Sequence, residues 1–224
     1  MAVRRLFDGK FEPLTGSIGF IEAAPALVAS TLLEWHESIG TRPRLRSIRG
    51  DLRSCLDHLP PLTLPPTREL LISNGNWTAY LTNGYSGTDE VSPVSQLALR
   101  CQTTAVGIHW KPEPIRVASL AFSLFGAIAT DFSNHVRSVQ LARDGQKWHW
   151  VVTGTAQPYE ALSSYEAPRV TDRFTPQLLN DYLKALGIHA FDETAYGPDG
   201  FLVESVRPPV RSRDLKTARR QIGL

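Results

Sequence analysis

The stretch from Leu70 to Pro93 constrains this chain most, because it holds two Asn-Gly pairs, Asn74-Gly75 and Asn83-Gly84. Asn and Gly accept positive φ more readily than other residues, so Asn-Gly between apolar runs is the strongest short-range hairpin signal. The flanking residues alternate as strands do, at 68–73 and 76–82. The chain is therefore expected to turn tightly there and then pass through a polar loop into a helix.

Three helices carry matching punctuation. Around residues 25–39, Pro25 suits the first helical position, Val28, Leu32, Trp35 and Ile39 form an apolar stripe, and Gly40 supplies the closing left-handed residue. A second helix is expected at 93–102, with Asp89 or Ser92 as cap and Val94, Leu97, Ala98 and Cys101 as its apolar face. A third spans 176–186, capped by Thr175 and ended by Gly187. Between them lie strand-like runs at 17–23, 103–110, 115–125, 136–142, 147–155 and 201–206. Asp144-Gly145 joins two of these, and Pro112 and Pro114 interrupt any ladder between two others. Strands arrive in runs rather than alternating with helices. The expected class is α+β: a mainly antiparallel twisted sheet covered by about three helices. The opening strand, Ala-Pro and helix resembles helix-grip ligand-binding folds in outline. Residues 1–206 read as one domain, with a possible subregion break at 60–66 (Pro-Pro-Leu-Thr-Leu-Pro-Pro), and 207–224 as a basic C-terminal tail.

A hydrophobic share of 42% and a charged share of 21% exclude a disordered chain. Two cysteines, Cys55 and Cys101, are too few for a disulfide scaffold. Arg4 and Arg5 could begin a leader, but Asp8, Lys10 and Glu12 break the apolar run that should follow. The apolar-leaning run at 117–129 falls short of the roughly 20 residues a bilayer demands. A soluble cytoplasmic protein with no membrane contact is expected. Charge is uneven. Residues 207–224 hold Arg207, Arg211, Arg213, Lys216, Arg219 and Arg220 against Asp214, and a second basic cluster holds Arg42, Arg44, Arg46, Arg49 and Arg53. Neither interleaves aromatic residues as single-strand binders do, so solvated surface is the favoured reading and nucleic acid a lesser one.

The chemistry-bearing residues form no motif. Cys55 and His58 have the spacing of half a zinc site, but no second pair completes it. In Trp148-His149-Trp150 the two indoles share one strand face, as core packing requires, and His149 takes the other. His109 could join Asp89 or Asp131 as a His–Asp pair, yet the chain has no Gly-x-Ser-x-Gly or Ser-x-x-Lys to supply a nucleophile. The loop Gly84 to Asp89 could cradle an anion at a helix N-terminus, but Asp89 already fills that role electrostatically. Asp192-Glu193 and Asp89-Glu90 are adjacent pairs, which point apart on a strand and so give no facing carboxylates. Asn76-Trp77-Thr78 fits a glycosylation sequon only by coincidence in a cytoplasmic chain.

The favoured function is therefore non-catalytic binding of another protein, in an immunity- or adaptor-like role. Trp77, Tyr80, Tyr85 and Asp89 in one loop region, and Asp192, Glu193 and Tyr196 in another, would be its contacts: aromatic anchors and acids for a basic partner. The alternative is a small-molecule pocket protein or hydrolase-like enzyme, with His109, His149, Asp89 and Tyr80 converging on a cavity beneath the helix at 25–39. No cofactor or metal is expected.

Overall fold

The computed structural model describes residues 6–111, 118–130 and 133–222. The elements are, in order, β1 (Ser17–Ile21), α1 (Pro25–Ser38), β2 (Arg44–Arg49), α2 (Leu52–Leu56), β3 (Leu62–Leu64), β4 (Arg68–Asn74), β5 (Trp77–Thr82), α3 (Ser92–Cys101) and β6 (Ala105–Lys111). They continue with β7 (Ser119–Thr130), β8 (Ser133–Asp144), β9 (Lys147–Gly154), α4 (Pro176–Ala185), β10 (Tyr196–Glu204), β11 (Arg211–Arg213) and α5 (Leu215–Gln221). Residues 115–117 of the long expected strand, Pro112, Pro114, Asp131, Arg4 and Arg5 lie outside the described residues.

Among the described residues nine strands form one sheet in the order β2-β10-β4-β5-β1-β6-β7-β8-β9, and all pair antiparallel. Asn74-Gly75 makes the expected turn between β4 and β5, with Gly75 at φ 61°. Asn83-Gly84 does not. Asn83 is fully buried, and its side-chain oxygen accepts the backbone N–H groups of Thr67 and Arg68, both at 2.9 Å. Its amide nitrogen donates to the Pro61 carbonyl at 2.8 Å. The second pair thus pins the proline-rich stretch to the sheet. Inside that stretch β3 pairs with β11, so part of the basic tail returns to the body as a two-stranded ribbon.

Both faces of the sheet are covered. Ile21, Leu71, Tyr80 and Val203 meet Val28, Leu32, Val94 and Leu97 of α1 and α3. On the opposite face Ile18, Phe20, Leu70, Phe122 and Leu202 pack with α2, α4 and the N-terminal turn. Five α-helices lie among the described residues rather than about three. The extra two, α2 and α5, are too short to show an apolar period; Asp51 and Asp214 cap them by accepting the Ser54 and Thr217 N–H groups. Helices on both faces also separate this fold from a sheet gripping a single helix. Trp150 packs against Tyr165 and Phe174, with ring centroids 5.0 and 6.3 Å away, as core packing requires. Among the described residues no helix is long and apolar enough to cross a membrane.

Candidate functional site

Strand alternation puts Glu69 and Leu71 of β4, and Tyr80 and Thr82 of β5, on the face that α1 crosses. The last turn of α1 brings Trp35 and His36 over them. Gly40 then turns the chain toward β2, and residues 65–67 and 205–207 close the sides. The result is a cleft of about 960 Å³. Its walls are largely apolar, with Trp35, Ile39, Pro65, Pro66, Pro93 and Val206; Arg42, Arg207, Glu37 and Asp89 also line it.

A chain of hydrogen bonds crosses this cleft. Tyr80 donates its hydroxyl to Glu69 Oε1 at 2.6 Å, and His36 Nε2 lies 2.6 Å from Glu69 Oε2. Facing a carboxylate, that nitrogen carries its proton. His36 Nδ1 lies 3.0 Å from Thr41 Oγ1, and the same hydroxyl reaches the His36 carbonyl at 2.8 Å. Burial, reinforced by the Glu69 charge, pushes the Tyr80 phenol well above its ordinary value, so it remains a donor. The Glu69 side chain is 14% exposed and that of His36 20%. A carboxylate offers about four acceptor positions. The two protein donors leave acceptor capacity at Glu69 for a ligand. Arg207 Nη2 donates to the Gly40 carbonyl at 3.1 Å and so ties the two rims together.

The expected partner-binding residues do not share one surface. Tyr80 and Asp89 line the cleft, where Asp89 also accepts the N–H groups of Val91 and Ser92 at 2.9 and 3.0 Å. Trp77 and Tyr196 are core, 3% and 4% exposed. They donate to the carbonyls of Leu186 and Ala190 at 3.0 and 2.9 Å. Tyr80 is likewise buried. These three rings are not available as surface anchors, because each sits on a strand whose two faces are both covered. Tyr85 is half-buried under the Arg213 guanidinium, 4.4 Å from its ring centre. Asp192 is exposed and accepts the Thr194 N–H and hydroxyl at 2.9 and 2.7 Å. Glu193 pairs with Lys10 at 2.8 Å.

Neither expected pocket histidine reaches the cleft. Ser17 Oγ and Glu90 Oε1 lie 2.7 and 3.3 Å from His109, but both approach Nδ1. A Ser–His–acid relay needs the two groups on opposite ring nitrogens, and Ser17 is only 1% exposed. His149 lines a separate open groove with Lys147, Trp148 and Arg169. Burial raises both thiols, Cys55 and Cys101, which makes them poor nucleophiles. Among the described residues no three His, Cys, Asp or Glu side chains gather to hold a metal.

Sequence reasoning missed His36, Thr41 and Glu69. One signal was present: Glu69 shares its strand parity with Leu71, so a carboxylate stands at an inward position of an apolar strand. His36 gave no such signal, being one polar residue among several at the end of a helix. No protein-family model, curated protein or solved structure matches the chain.

Proposed function

We propose that the protein is a binding protein for a small organic molecule, held in the cleft between the end of α1 and the β4–β5 strands. The ligand presents a hydroxyl or ammonium donor to Glu69 and lays an apolar body against Trp35 and the proline walls. One observation carries this reading: a part-buried carboxylate, fixed by two protein donors and still able to accept, at a largely apolar cleft. The support favours binding over catalysis. His36 is held on both ring nitrogens, by Glu69 and Thr41, and no thiol or histidine-activated serine lines the cleft among the described residues. Both cysteines are free, which suits the cytoplasm.

A titration of the isotope-labelled protein tests this, using tyramine, phenethyl alcohol and toluene as probes. Tyramine and phenethyl alcohol should shift the Trp35 and Tyr80 resonances saturably and toluene much less. Glu69→Gln should weaken tyramine about tenfold, since hydrogen bonds to a charged partner contribute about 1.5–3 kcal/mol. If neither polar probe moves those resonances, or if toluene binds as well as tyramine, the reading falls.

A protein partner is the second reading. Trp77, Tyr80 and Tyr196 are buried and contribute nothing to it. What favours it is an edge strand rich in arginine, beside the mouth of the cleft.

A further inference from the structure

β2 ends the sheet. Among the described residues it pairs with β10 alone, and no strand neighbours its other side. Of its residues only Ile48 is buried, while Arg44, Leu45, Arg46, Ser47 and Arg49 are exposed. An open edge presents unpaired N–H and C=O groups at a regular spacing, which is a template for one more strand.

The side chains say which strand would fit. Arg44 and Arg46 share one face, about 7 Å apart at two residues' spacing, and exposed Arg42 leads into them. Local acids answer only part of this charge. Asp199 pairs with Arg49 at 3.1 Å, and Glu204, opposite Arg44 in the ladder, pairs with Arg68 at 3.4 Å. Arg46 Nη2 lies 3.5 Å from the His58 ring and forms no ion pair among the described residues. Arg42 and Arg44 form no ion pair among the described residues. Like charges placed opposite each other destabilise a ladder. The arginines therefore bar a second copy of β2 and favour a strand carrying carboxylates at alternate positions.

We propose that β2 docks an acidic, extended segment of a partner protein as a tenth strand of the sheet, with acidic side chains set two residues apart against Arg44 and Arg46. This deepens the protein-partner reading and does not depend on the cleft.

Three labelled heptapeptides test it by fluorescence anisotropy: blocked Thr-Glu-Thr-Glu-Thr-Glu-Thr, its lysine counterpart, and an acidic version with proline at the central position. The intact acidic peptide should bind, slow amide exchange across β2, and lose affinity as salt rises. The double variant Arg44→Glu with Arg46→Glu should weaken it at least about tenfold, since two attractive pairs become repulsive. Because Arg44→Glu also sets a second acid opposite Glu204, the neutral pair Arg44→Gln with Arg46→Gln serves as the control for folding: its melting temperature should stay close to wild type, since both side chains are exposed, and it should still weaken the acidic peptide. Glu69→Gln should leave peptide binding unchanged, so this test and that of the cleft fail separately. The proposal is overturned if no peptide binds, if the lysine peptide binds equally, if proline costs nothing, or if a single-stranded oligonucleotide displaces the acidic peptide and is itself sensitive to the same charge reversals.

Discussion

Two tyrosines that look alike in sequence have opposite settings. Tyr196 is buried, hydrogen-bonded to the Ala190 carbonyl and edge-on to Phe7. Tyr85 lies half-exposed under Arg213. Tyr196→Ala should therefore cost about 3–5 kcal/mol, the range for emptying a core aromatic site. Tyr85→Ala should cost about 1 kcal/mol, mainly the lost cation–π contact. Urea denaturation of both variants measures the contrast; equal losses would contradict the burial. Neither setting was legible from composition, since a tyrosine beside a turn can face either way. The two Asn-Gly pairs carry the same lesson. Both side chains are buried clamps, Asn74 on the His189 backbone and Asn83 on 61–68, yet only Asn74 leads into a hairpin turn, and no local rule separates them. Only long-range packing does.

Elements with strong boundaries were the readable ones. α1 and α4 open on proline and are followed by glycines at positive φ, Gly40 and Gly187, and their limits fall within a residue or so of expectation. α3 ends on Gln102 in the left-handed region. β2 was hidden because its strand period is written in arginines; exposure on both faces removes the apolar alternation by which strands are recognised. The cleft inherits that blindness, because His36 and Glu69 meet only once α1 is laid across β4. β6 holds a constraint that periodicity cannot show. A Cβ at Gly107 would sit 2.1 Å from the carbonyl oxygen of Glu90. Gly107→Ala should push the 83–91 loop off the strand and cost about 1–3 kcal/mol. The urea midpoint should fall accordingly, and a neutral result would mean that the loop is free to move aside.

At the scale of the molecule, the basic C-terminal region from 211 to 222 is part of the folded body. β11 pairs with β3, Ala218 is buried, and Arg219 reaches the Lys10 carbonyl. Asp214 holds α5 in place, accepting the Thr217 N–H and hydroxyl at 2.7 Å each. Those bonds, the hydroxyl first, lower the Asp214 carboxyl below its ordinary value. A carboxylate favoured in the folded state stabilises above the unfolded pKa and loses that effect as pH falls through the folded one. Asp214→Ala should therefore speed amide exchange in 215–221 at neutral pH. The gap to wild type should close as pH drops below the ordinary carboxylate range. A gap that persists in acid would mean the alanine acts by some route other than the cap.

The position of β10 fixes a sequence of events. It inserts between β2 and β4, both of which precede it in the chain by more than half of the sequence. Until residue 204 has left the ribosome, β2 has no strand to lie against and β4 is the temporary border of a half-made sheet. The arginine strand is thus the last to join the large sheet, and a nascent chain stalled before β10 would expose the apolar flank of β4 to its neighbours.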